Sequence, residues 1–194
     1  MEFERSAAVA LFWIPLGAGG NGFVRNNGRA YEALRARIER RRPLALVHSA
    51  LEVTASGERY TIENAWPSPD ADVDSRGVMV EGPVGARLAG RFRPFRYEVR
   101  RWRDGVIPDV AEAIGGPVIV GTGPAFARSV LALVPEVPAL TWGRTPVGSR
   151  EMWNSNSVIA WILTRAGVAD ADARLPGGTR APGWQTGVEV ARSG

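Results

Sequence analysis

Glu151-Met152-Trp153-Asn154-Ser155-Asn156-Ser157-Val158-Ile159-Ala160-Trp161 is the stretch on which the reading of this chain turns. Its polar run followed by an apolar one predicts a helix from Ser155 to Ala166, with Val158, Ile159, Trp161, Ile162 and Leu163 covering most of its surface and Gly167 at the C-terminal cap. A helix that is apolar nearly all round belongs in a core. Asn154 or Ser155 then falls at the N-cap, where backbone N–H groups lack partners and the helix dipole favours negative charge. A nucleophile at that point has oxyanion-stabilising donors beside it. Asn and Ser are also the preferred capping residues, so from spacing alone capping is the favoured explanation of the run.

Composition narrows the chemistry. The chain has no cysteine, one histidine (His48) and no lysine, all 24 basic residues being arginine. Disulfides, Cys nucleophiles, zinc-finger ligand sets, Schiff-base lysines and Ser-Lys dyads are excluded, and no metal or other cofactor is expected. His48 is the one side chain whose unperturbed pKa lies near neutrality. With 194 residues, 45% of them hydrophobic, and a net charge of only +4, the chain fits a single mildly basic domain spanning 1–194. Ala7 to Ile14 is apolar, but Glu2, Glu4 and Arg5 precede it where a signal peptide has a basic leader, and it is too short to cross a bilayer. A cytoplasmic chain with no membrane span is the expectation, and Ala7 to Ile14 reads as a buried first strand ending at Pro15. The glycine-rich loop from Gly17 to Gly22 is not a phosphate loop, because no Gly-Lys-Ser/Thr follows it.

From Gly28 the pattern is helical, with Tyr31, Leu34 and Ile38 on one face and Pro43 as its stop; Arg40-Arg41-Arg42 reads as a solvated helix end. Leu44 to Val53 reads as a strand carrying His48 and Arg59 to Ala65 as its hairpin partner, joined by a tight turn at Ser56-Gly57. With Leu51, Val53, Tyr60 and Ile62 facing the core, His48, Ala50 and Glu52 share the other face with Thr61, Glu63 and Ala65. That register sets Glu63 opposite Ala50 and diagonal to His48; a slip by one residue substitutes Asn64, and Glu52 lies on the histidine's own strand.

The segment with Pro67, Pro69, Asp70, Asp72 and Asp74 reads as a polar loop without the pattern of a calcium-binding loop, followed by a strand at Val78 to Val80. Arg91 to Trp102 alternates arginines with aromatics, which suits a nucleic-acid platform or a charged edge strand; the modest net charge favours the strand, and nucleic acid is not the expected partner. Asp109 to Ile114 and Pro124 to Val134 read as packing helices. Pro176 to Trp184 reads as an ordered turn and a candidate wall for a groove, ahead of a last strand at Gly187 to Ala191.

The run Asn154-Ser155-Asn156-Ser157 before an apolar helix resembles the Asn-Cys-Asn motif of PPPDE-type peptidases, with serine in the nucleophile's place, and His48-Ser49-Ala50-Leu51-Glu52-Val53 resembles the histidine strand of that group in the same chain order. The wider permuted papain-like group includes lecithin retinol acyltransferase-like enzymes and is related to NlpC-type hydrolases. The resemblance covers mainly residues 44–65 and 151–166. It implies an α+β fold of permuted papain-like type, an antiparallel sheet packed against a buried nucleophile-bearing helix, with the histidine strand at about 44–53 and the nucleophile helix at about 155–166. It also implies a third polar residue orienting the histidine, for which Glu63 is the positional choice.

Serine ionises far less readily than cysteine and depends on its base during attack. Three readings follow: a Ser155-His48 hydrolase or acyltransferase acting on a peptide, amide or ester, with Glu63 orienting His48 and Asn154 and Asn156 beside the oxyanion and substrate; an inactive relative that keeps a groove for a peptide or acyl ligand; or an engineered Cys-to-Ser change. Nucleic-acid binding through the arginine-rich strand stands behind these.

Overall fold

Strand β1 (Ala8–Pro15) is apolar at nearly every position because it is flanked on both edges and covered on both faces. The computed structural model describes residues 7–18, 22–67, 77–107 and 109–194; residues 19–21 of the glycine loop and Asp70, Asp72 and Asp74 lie outside them. The remaining strands are β2 (Ala45–Ala55), β3 (Glu58–Ala65), β4 (Val78–Pro83), β5 (Arg96–Arg103) and β6 (Val118–Thr122), giving an antiparallel sheet in the order β4-β5-β3-β2-β1-β6. A two-residue strand β7 (Thr179–Arg180) lies parallel to the start of β2. The helices are α1 (Gly22–Ile38), α2 (Pro124–Leu133), α3 (Ser155–Arg165) and α4 (Trp184–Ser193). The architecture is α+β, and among the described residues no helix is long and apolar enough to cross a membrane.

The β2-β3 hairpin turns on Ser56 and Gly57, both at positive φ (52° and 79°), which matches the right-handed twist of the flanking strands. Leu51 pairs with Ile62 and Ala55 with Glu58, as the hydrophobic alternation requires. Val47, Ser49, Leu51, Val53 and Ala55 therefore face the main core, which they share with Leu11, Trp13, Ile62, Val99 and the apolar residues of α3. His48, Ala50 and Glu52 face the other way. There a smaller cluster of Ile14, Ala50 and Ile107 is covered by the turn at Val110–Glu112.

Four expectations change. The arginine-rich stretch is a strand only from Arg96, and β5 lies between β3 and β4 rather than at an edge, so Glu98 and Arg100 are buried. Arg87–Arg91 and Arg93–Phe95 form two 3-10 turns with no buried residue. In α1 the inward residues are Glu32 and Ala36, while Leu34 and Ile38 are 60% and 64% exposed. The reason is electrostatic: Arg41, Arg180 and the Leu44 N–H all converge on the Glu32 carboxylate and turn that face inward. Gly187 to Ala191 is helical, since Trp184, Val188 and Ala191 recur at i, i+4 and i+7 on the buried side of α4. Gly187 allows the close α3-α4 crossing, because a Cβ there would overlap the Ser157 carbonyl.

Candidate functional site

The start of α3 is a network of polar side chains committed to other parts of the chain. Asn154 is the N-cap: its side-chain oxygen accepts from the backbone N–H groups of Asn156 (3.0 Å) and Ser157 (3.3 Å), and its amide donates to the Pro182 carbonyl (2.9 Å). Ser157 completes a capping box by accepting from the Asn154 N–H, and its hydroxyl donates to the Gly183 carbonyl at 2.7 Å. Asn156 is 3% exposed. Its amide donates to the carbonyls of Val47 and Pro182, both at 3.0 Å, and its oxygen accepts from the Ser49 hydroxyl at 2.9 Å. Asn156 thereby ties α3 to β2 and to the segment before α4. The oxyanion and substrate roles expected for Asn154 and Asn156 meet side chains whose polar atoms already hold the fold.

Ser155 and His48 are not brought together. Ser49 and Val47 are the β2 residues that meet α3, so His48, one position from each, projects from the opposite face, across from Ile14. Among the described residues no hydrogen bond reaches the Ser155 hydroxyl or the His48 ring. Burial holds the His48 pKa below its ordinary value, and the nearby Asp109 carboxylate partly offsets this by favouring the charged ring. The acid that acts on His48 is thus Asp109, on the turn covering that face. Sequence alternation gave no signal for a contact so distant along the chain.

Glu63 does share the face of His48, as the hairpin register requires, but its partner is Arg100 on β5, with Nη1 at 3.4 Å. Arg100 also donates to Glu98 from Nε (2.9 Å) and Nη2 (2.8 Å) and to the Trp66 carbonyl (2.9 Å). Burial pushes the Glu63 pKa up, with Arg100 pulling against it. The other positional choices do not reach His48 either. Glu52 pairs with Arg59 at 3.3 Å, and the Asn64 amide nitrogen is buried with no partner.

A concave site that pairs aromatic rings with charge lies elsewhere, between α1, β7 and α4, in a cleft of about 590 Å³. Its floor is Trp13 and Trp184, ring centroids 4.8 Å apart, fixed by Nε1 donation from Trp13 to the Ala173 carbonyl (2.9 Å) and from Trp184 to Asp170 (2.6 Å). One wall is stitched by charge. Arg180 bridges Glu32 and Glu151, and the Glu151 carboxylate accepts the Gly183 N–H at 2.6 Å. Arg150 and Glu189 remain: Arg150 has no ion pair among the described residues, and Glu189 Oε2 is buried without a hydrogen-bond partner. The Pro176 to Trp184 segment contributes Arg180, Ala181 and Trp184 to this cleft, which is not the groove expected at Ser155 and His48. Arg150 and Glu189 carried no signal, because only the fold sets them beside one cleft.

Among the described residues no group of three or more His, Asp or Glu side chains is placed to hold a metal ion. Compared with family models, with curated proteins and with solved structures, the chain matches none.

Proposed function

We propose that the chain is a non-catalytic binding module on a papain-like scaffold, and that its ligand is a short peptide held in the Trp13-Trp184 cleft. The observation that carries this reading is the pairing of an aromatic floor with two uncommitted charges of opposite sign, Arg150 and Glu189. Concave sites of a few hundred Å³ with an apolar base and a few convergent polar groups are the usual form of ligand pockets. A peptide supplies what this one lacks: amide N–H or amino groups for Glu189, a carbonyl or carboxylate for Arg150, and a side chain to fill the cleft. An acyl chain leaves both charges unmet.

Titration with a pool of zwitterionic tetrapeptides, followed by calorimetry, tests the proposal. Binding weakened about tenfold or more by Glu189→Gln and by Arg150→Ala, and unchanged by Ser155→Ala, is the expected outcome. Absence of heat across the pool overturns it.

One observation favours the acyl-transfer reading. In the Asn154 to Ser157 run, Ser155 alone has a hydroxyl or amide side chain without a hydrogen bond, and it sits at the N-terminus of α3. That reading needs a base at Ser155, and His48 would have to come from the far face of β2. Labelling by a fluorophosphonate probe that is lost in both Ser155→Ala and His48→Ala is its test.

A further inference from the structure

The segment between β4 and β5 displays apolar side chains outward on a fixed frame. Leu88, Phe92 and Phe95 are 71%, 65% and 51% exposed, and neither 3-10 turn of the segment has a buried residue. Exposed apolar groups on a slack loop carry little meaning. Here the backbone is strapped: Ala89 N bonds Ala86 O, Phe92 N bonds Ala89 O, Phe95 N bonds Phe92 O, and Val84 N bonds Phe95 O, all within 3.0 Å. Arg96 Nε adds a bond to the Gly90 carbonyl at 2.7 Å. The three apolar side chains are held out, so burying them in a partner costs little ordering entropy.

Charge surrounds them on one side of neutrality. From residue 81 to residue 96 there are four arginines, Arg87, Arg91, Arg93 and Arg96, against one acidic residue, Glu81, which pairs with Arg96 at 3.2 Å. Arg87 and Arg91 are exposed beside Leu88 and Phe92. We infer that the Arg87–Phe95 segment docks on an anionic phospholipid surface, with Leu88, Phe92 and Phe95 entering the interface and Arg87 and Arg91 meeting the headgroups. Interfacial binding of this kind sums buried apolar area and attraction to anionic lipid. A single-stranded nucleic acid would use the phenylalanines as stacking platforms but has no use for Leu88, the most exposed of the three.

Flotation of the full chain with vesicles of phosphatidylcholine, with and without phosphatidylserine, tests the inference. Wild type is expected to float only with the anionic vesicles, and partition falls about tenfold in Leu88→Ser/Phe92→Ser and in Arg87→Glu/Arg91→Glu. These positions are exposed, so an unchanged melting temperature confirms that the variants are folded. No flotation, equal flotation on neutral vesicles, partition unaltered by both variants, or retention on single-stranded oligonucleotide without vesicle binding each overturns it.

Discussion

Ser49 donates its hydroxyl to the side-chain oxygen of Asn156 across 2.9 Å, joining the middle of β2 to the first turn of α3 in a site closed to solvent. That bond identifies the strand face the helix meets, and His48 is on the other. The polar run before α3 is therefore a buried fastening between three parts of the chain.

Asn156→Ala removes three hydrogen bonds, taking the acceptor from the buried Ser49 hydroxyl and a donor from the Val47 carbonyl, while the Pro182 carbonyl keeps its bond from Asn154. A loss of about 2–4 kcal/mol in urea unfolding is expected. Ser155→Ala, one residue earlier, is expected to change stability by less than about 0.5 kcal/mol. Equal costs at the two positions would refute this division of roles.

Gly187→Ala tests the α3-α4 crossing. The new methyl group meets the Ser157 carbonyl and the Ala160 side chain, so the helices must separate, at a cost of about 1–3 kcal/mol that calorimetric melting detects. A neutral result would mean that α4 is not seated where Trp184, Val188 and Ala191 place it.

Arg100→Leu removes the guanidinium that pairs with the buried carboxylates of Glu63 and Glu98. Removing one member of a buried ionic group costs about 3–5 kcal/mol, and the loss should shrink on acidification as Glu63, whose pKa burial raises, protonates. Glu63→Gln is then expected to alter stability and to leave the His48 titration in place, contrary to a role in orienting the histidine.

Stability should fall as pH drops through about 6.5, for a reason that His48→Gln removes. The His48 pKa is lowered in the folded state from 6.5, so the unfolded chain binds the proton more readily and gains relative stability as acid is added. Asp109→Asn lowers the His48 pKa further and extends the window downward. Glu32 acts in a separate, more acidic range. Burial pushes its carboxyl up, but hydrogen bonds from Arg41, the Leu44 N–H and Arg180 outweigh that and bring it down from 4.5 to about 2, so its stabilisation is complete above 4.5 and is lost between 4.5 and 2. Unfolding midpoints of wild type and His48→Gln that stay parallel from pH 8 to pH 5 would refute the histidine assignment.

What the sequence made legible was local. The helix at Ser155, its Asn154 cap, the Ser56-Gly57 hairpin and the faces of β2 and β3 all follow from spacing and turn chemistry within a few residues. The partner of each polar side chain did not follow, because Ser49 to Asn156 and Glu63 to Arg100 span 107 and 37 residues. Residues 187–191 read as a strand from sequence because Gly187 interrupts the helical spacing, and the reason for that glycine is a carbonyl on α3. Hydrophobic spacing sets Leu34 and Ile38 on one face of α1 but carries no information about the arginines that draw Glu32 toward the core.

The central proposal is that the Asn154 to Ser157 run serves as a structural fastening and that Ser155 is not a nucleophile. Reacting wild type and Ser155→Ala with a fluorophosphonate probe over a range of pH tests it most directly. The account predicts no labelling that depends on Ser155; a labelled wild type beside an unlabelled Ser155→Ala would contradict it.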